Sequence, residues 1–218
     1  MKGSAPYAIT ISRMLGSGGV IIGKQLAKRL NIGYFDKEII ARAAEKLGLD
    51  ASDLGQYDEA VTPMWQWLVK SGILDSPSLF AEPRIDLPTD QQLHAVVSEI
   101  IKKISEEISA VIIGRNGSYI LRDHPRHISV FLHCDTELRI KRIQEVLHLP
   151  EKKAQKLVAS TDSKRGHYIQ QFSGENWTDS RQYTICLDTG KTSLDDCVEV
   201  ILKLVESQFG LSSLSLTN

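Results

Sequence analysis

Little in this chain of 218 residues supports binding to a polyanion, a bilayer or a structural metal. Its 26 lysines and arginines nearly balance 27 acids, leaving a formal net charge of −1, so there is no global positive field to hold a nucleic-acid polymer. No apolar run approaches the roughly 20 residues that a membrane-spanning helix needs, and Met1-Lys2-Gly3-Ser4-Ala5-Pro6 has no apolar leader core. The three cysteines, Cys134, Cys186 and Cys197, are odd in number and lack ligand spacing. They exclude a disulfide framework and fit reduced thiols in or near a core, so a cytoplasmic protein is expected. The six histidines form no pair at ligand spacing: His124 and His127 flank Pro125, and His133 ends a strand-like run. No metal-binding residue is expected. Phosphate recognition, if present, has to come from local groups of arginine, lysine and backbone N–H.

One stretch has that character. Ala8-Ile9-Thr10-Ile11-Ser12-Arg13 reads as a buried strand, Met14-Leu15-Gly16-Ser17-Gly18-Gly19 as a glycine-rich turn, and the sequence from there to Leu30 as an amphipathic helix. Glycines let successive N–H groups converge, and a helix N-terminus adds unsatisfied donors and partial positive charge, which together make a phosphate cradle. The literal pattern G-x-x-x-x-G-K does occur, from Gly18 to Lys24, but its interior is Gly-Val-Ile-Ile and Gln25 follows where Ser or Thr belongs. Ile22, Leu26 and Leu30 recur at i, i+4 and i+8, so Val20-Ile21-Ile22 is read as part of an apolar helix face and the helix as starting near Gly18 or Gly19. That register puts Gly19 where the phosphate-binding lysine is expected and Ile21 where the magnesium-binding hydroxyl is expected. Arg13 is then the strongest candidate for the missing cation; the alternative is a surface arginine on an ordinary turn.

Beyond this point apolar runs alternate with helical periodicity, which predicts an α/β fold with a parallel sheet and crossover helices. A second strand is expected at Gly33–Asp36 and a helix from Lys37 to Leu47. Residues 50–88 break the rhythm with four prolines and Trp65 and Trp67, and are read as an insertion. A long helix follows a Thr89-x-x-Gln92 capping box, with Val97, Ile101, Ile104 and Ile108 on one face. Ala110–Gly114 reads as a strand buried on both faces, Ile128–Cys134 as the fourth, and Asp135 as an N-cap. Pro150 opens a lysine-rich helical stretch closing at Asp162-Ser163-Lys164-Arg165. Tyr183–Leu187 is the last strand, a helix runs from about Ser193 to Phe209, and residues 210–218 form a tail expected to be disordered.

Four groups should meet at the carboxyl edge of such a sheet, where open α/β folds bind ligands. They are the glycine loop with Ser12 and Arg13, Asp36, Arg115, and the basic set Arg139, Arg142, Lys164 and Arg165. Phosphoryl transfer needs this kind of assembly, because its transition state spreads negative charge over the moving group. Asp36 suits a water-mediated magnesium contact or an acceptor hydroxyl, and equally suits an N-cap. Arg115, in a Gly-Arg-Asn-Gly turn, suits a forked phosphate contact. For the basic set the alternative is a solvated helix face.

These residues resemble the cytidylate kinase-like family of P-loop proteins. The resemblance rests on Ile11-Ser12-Arg13 with Gly16-Ser17-Gly18-Gly19 and Gly23-Lys24, on Tyr34-Phe35-Asp36-Lys37-Glu38, and on Val111 to Gly117. Asp162-x-Lys164-Arg165-x-x-Tyr168 and Trp177-x-Asp179-x-x-x-Tyr183 continue it. It implies a three-layer sheet with nucleoside monophosphate kinase topology, in one domain over residues 1–209 with a helical lid near 150–178. It implies an ATP- and Mg2+-dependent phosphotransferase acting on a nucleoside monophosphate or other small acceptor. Arg115 then matches the acceptor-contacting arginine, Lys164 and Arg165 fall in the lid, and Arg139 and Arg142 join the nucleotide site with Gly16, Ser17, Gly18 and Gly19. The missing lysine and hydroxyl, and Asn116 in place of the family's Asp, leave a second reading: a nucleotide-binding or sensing protein without catalysis.

Overall fold

The computed structural model describes residues 5–36 and 90–210. The helix expected at 37–47, the insertion at 50–88, Thr89 of the capping box and residues 211–218 of the tail lie outside them. The described residues build one parallel sheet from β1 (Ala8–Arg13), β2 (Gly33–Phe35), β3 (Ala110–Ile113), β4 (His127–His133) and β5 (Ile185–Asp188), in the order β2-β3-β1-β4-β5. Every pairing is parallel, with Ile11 beside both Ile113 and Val130. The β1, β3 and β4 sequences are the most apolar of the five and occupy the centre.

Alternation along β1 sends its side chains to two different layers. Ile9 and Ile11 pack with Ile22 and Leu26 of α1 (Gly19–Leu30) and with Val198 and Ile201 of α6 (Leu194–Phe209). Ala8 faces the other way, toward Val97, Ile101 and Ile104 of α2 (Asp90–Glu107) and the short α3 (Gly117–Ile120). Ile108, expected on the buried face of α2, lies beyond its last turn and is exposed. A helix face ends where the helix does. Gly23 lets α1 lie close on the sheet: a Cβ there would come within 2.6 Å of Ile113 Cδ1.

Two helices close the carboxyl edge. Asp135 caps α4 (Thr136–Leu147) by accepting the Glu137 N–H. Then α5 (Glu151–Ser173) runs on past Arg165, where the charged run predicts an end, and buries Ile169 with Phe131 and Trp177. No proline or glycine stops it at Ser163-Lys164-Arg165, and Gly166 instead makes room for the Trp177 indole. Gly174 ends α5 in the left-handed conformation. No helix among the described residues is long and apolar enough to cross a membrane.

Beneath the sheet's layer facing α2, His127 Nε2 pairs with Thr10 Oγ1 at 2.8 Å. Burial, aided by neighbouring His124, holds the imidazole neutral, with its pKa pushed down to about 4. The unfolded chain therefore binds the extra proton first, near pH 6.5, and stability should fall as pH drops from 6.5 to 4. The loss should be on the order of 2 kcal/mol. Denaturant midpoints for the parent and His127→Gln across that window check this: the variant should have the flatter profile.

Candidate phosphate-binding site

The central pair of strands sets the position of the site. The chain leaving β1 turns to α1 on one face of the sheet, and the chain leaving the adjacent β3 turns to α3 on the other. A crevice opens where two neighbouring connections part in this way. Residues 14–18 form one lip and residues 114–116 the other. Asp36, Arg115 and Arg13 follow or end three neighbouring strands, β2, β3 and β1, at this same edge.

The glycine loop is shaped by the protein around it. Gly16 and Gly18 have φ of +84° and +82°, where a side chain is strained. A Cβ on Gly16 would also lie 2.8 Å from the Arg139 carbonyl oxygen, and one on Gly18 would lie 2.6 Å from Leu194. The glycines are therefore required by packing as well as by any approaching ligand. Ser17 is fully buried, and both its hydroxyl and its N–H donate to the Met14 carbonyl. It closes the turn, and its hydroxyl points inward to the backbone.

Donors remain for an anion. Among the described residues the N–H groups of Gly16 and Gly18 have no acceptor. Gly18 precedes α1 without a side-chain cap, so the first-turn N–H groups at Gly19, Val20 and Ile21 face the same mouth. Only Ile22 of the Val20-Ile21-Ile22 run is buried; Val20 and Ile21 are 41% and 51% exposed. Of the apolar run, only Ile22 joins the buried helix face that continues through Leu26 and Leu30. Lys24 is exposed on the second turn, away from the cradle.

Arg13 ends β1 with its side chain across the start of α1: a Cβ on Gly19 would be 2.9 Å from Arg13 Cγ. The arginines expected to reach the nucleotide are engaged with the loop backbone. Arg139 is buried; it donates from Nε to the Cys134 carbonyl, from Nη1 to the Leu15 carbonyl and Asp162, and from Nη2 to Thr136 Oγ1. Arg142 donates to the Gly16 carbonyl at 3.2 Å and to the Thr189 carbonyl and hydroxyl. Arg165, also buried, donates to the Arg13 carbonyl at 2.9 Å. Lys164, one residue away, is exposed on α5.

Asp162 joins these contacts. It accepts the Leu15 N–H at 2.9 Å and pairs with Arg139, with Arg165 4.0 Å away. Sequence reasoning placed Asp162 in a motif without giving it a role; the available signal was an acid in the middle of a helix three residues before an arginine. On the other lip, Arg115 and Asn116 are both buried and both left-handed, with φ of 57° and 56°. Ser12 is buried with its hydroxyl 3.4 Å from that of Ser118. An open pocket of about 410 Å3 lies over the ends of β4 and β5, lined by Phe131, His133 and Cys186, and meets the loop at Met14 and its brace at Arg139.

The cradle fits a polyphosphate better than it fits a protein-ligated magnesium ion. Ile21 stands where a hydroxyl ligand would be needed, and the described residues hold no group of three or more His, Cys, Asp or Glu suited to a metal. Magnesium usually keeps several waters and rides on phosphates, so a polyphosphate site does not require a full set of protein ligands.

Comparison with solved structures gives the fold its context. A crystal structure of an uncharacterized protein from Eubacterium ventriosum superposes with a TM-score of 0.68 at 27% identity, covering 93% of this chain and 99% of that one. A gluconokinase from Sinorhizobium meliloti gives a TM-score of 0.52 at 13% identity, over 95% and 96%. Shikimate kinase from Bacteroides thetaiotaomicron gives 0.50 at 11%, over 92% and 98%. At such low identity the last two establish the P-loop kinase fold alone. None of the curated proteins compared matches the chain. The profile of the cytidylate kinase-like family, however, matches residues 8–191. Since that span holds the sheet, both lips of the crevice and the Asp162–Arg139 contact, this chain belongs to the cytidylate kinase-like family.

Proposed function

We propose that the protein is an ATP-dependent phosphotransferase whose acceptor is a nucleoside monophosphate or another small phosphorylatable molecule. The observation that carries this reading is the placement of Arg13 against Gly19. A P-loop kinase needs a cation beside the β- and γ-phosphates, and a side chain rooted on β1 occupies the space next to the helix position that ordinarily supplies it. A guanidinium there has fixed charge and forks onto phosphate oxygens.

In this reading the N–H groups of Gly16, Gly18 and the first turn of α1 hold the phosphates. Arg13 stabilises charge as the phosphoryl group moves. Arg115, rising from β3 on the acceptor side, fixes an anionic group of the acceptor, and Asp36 orients its hydroxyl. Bound ATP would supply the phosphoryl group, and a magnesium ion bound with it would help neutralise the phosphates' charge. Family membership and the kinase fold support phosphotransfer, while the missing lysine and hydroxyl favour nucleotide binding without turnover. An ATP turnover assay over a panel of nucleoside monophosphates and small hydroxyl compounds separates the two: ATP binding without turnover on any acceptor would establish the second.

Arg13→Ala should lower turnover roughly a hundredfold or more, the scale of removing one charge-stabilising donor, and Arg13→Lys should recover part of it. Gly19→Lys alone should lose thermal stability, because its Cβ meets Arg13 Cγ. Combined with Arg13→Ala the collision is relieved, and Gly19→Lys with Ile21→Thr should regain both stability and some turnover. Parental turnover in Arg13→Ala would send the search for the cation elsewhere.

Arg115→Ala should weaken binding of a phosphate-bearing acceptor about tenfold or more, the value of a charge-assisted contact. Arg115 is buried, so affinity is to be measured per folded molecule by titration calorimetry. A fallen unfolding midpoint with unchanged affinity would make Arg115 a structural residue.

A further inference from the structure

Four consecutive carbonyls of the glycine loop are each held by a side-chain or turn donor. Arg165 holds that of Arg13, Ser17 that of Met14, Arg139 that of Leu15 and Arg142 that of Gly16. A peptide unit is planar and trans, so the Leu15 C=O and the Gly16 N–H point in opposite directions. Pulling the carbonyl toward Arg139 therefore turns the Gly16 N–H away from α4. Asp162 fixes the same residue from its other side by accepting the Leu15 N–H, and its carboxylate also anchors the guanidinium that does the pulling.

We infer that Arg139 and Asp162 are positioning residues that aim the Gly16 N–H into the phosphate cradle. This inference rests on the phosphate-binding reading of the loop. It gives Arg139 a role different from direct nucleotide contact, because the side chain is buried and four of its five N–H donors already serve protein acceptors. Gly18 serves as an internal reference. Its conformation is set by the helix start and by packing against Leu194, which Arg139 does not touch.

The test follows the amide resonances of Gly16 and Gly18 by NMR as inorganic tripolyphosphate, and separately ATP, is titrated into the full chain. In the parent both amides should shift with occupancy. In Arg139→Met, which leaves Asp162 on the Leu15 N–H but removes the donor to the Leu15 carbonyl, the Gly16 response should be lost while that of Gly18 persists. Affinity should fall about tenfold, as for one lost charge-assisted contact. Should Arg139→Met unfold, Asp162→Asn keeps an acceptor for Leu15 and removes the charge that anchors Arg139; the same selective loss of the Gly16 shift is expected, in smaller degree. A Gly16 shift retained in step with Gly18 in the folded variant, even at reduced affinity, would mean that Arg139 contacts the ligand directly or acts only on folding, and would overturn the inference. A parent in which neither amide responds to either probe would instead overturn the phosphate-binding reading on which it rests.

Discussion

A largely buried carboxylate and a buried guanidinium, Asp162 and Arg139, meet 2.5 Å apart at the back of the glycine loop, with side chains 17% and 6% exposed, and both are also bonded to the backbone of Leu15. Charges removed from water are costly unless their remaining hydrogen-bonding capacity is filled, and breaking such a pair from one side costs about 3–5 kcal/mol. Here the capacity is filled by main-chain groups, so the pair and the loop stabilise one another. The two residues come from different helices, α4 and α5, which also share the cluster of Ile143, Ala154 and Val158 with Leu15 packed against it. The conformation of the loop thus depends on the docking of two helices remote from it in sequence.

Arg142 extends the same arrangement across the sheet. Its guanidinium joins the Gly16 carbonyl to Thr189, beyond β5, while Arg165 ties α5 to the end of β1. The connections after β1, β4 and β5 are thereby linked without any of them contributing a strand to the others. On the opposite lip, Arg115 and Asn116 adopt left-handed conformations in succession, uncommon for residues with side chains, and both are buried. One lip is braced by arginines from behind; the other is braced by its own turn.

The strand–loop–helix unit was legible in the sequence because hydrophobic periodicity changes from continuous to helical at a run of glycines. The later strands, Asp135 as a cap and the start of the last helix near Ser193 were legible for the same local reasons. The work done by Arg139, Arg142 and Arg165 was not. A guanidinium satisfies a phosphate and a pair of carbonyl oxygens with the same fork, and spacing along a helix does not distinguish the two targets. Nor could spacing show Asp162 reaching a residue 147 positions earlier; that contact exists only once α5 has crossed the loop. The length of α5 was underestimated because a charged run looks like an ending, whereas here Asp162 and Arg165 turn inward and Ser163 and Lys164 outward.

The crowding at Gly16 and Gly18 separates two things that a glycine pattern usually reports together. Their Cβ positions are filled by Arg139 and Leu194 rather than by space reserved for a ligand. A descendant of this chain that abandoned phosphate chemistry would still be strained by a side chain at either position, because both combine a positive φ with this crowding. Across such a lineage, retention of the glycines records the inheritance of a shape and is not by itself a record of the continued use of the site.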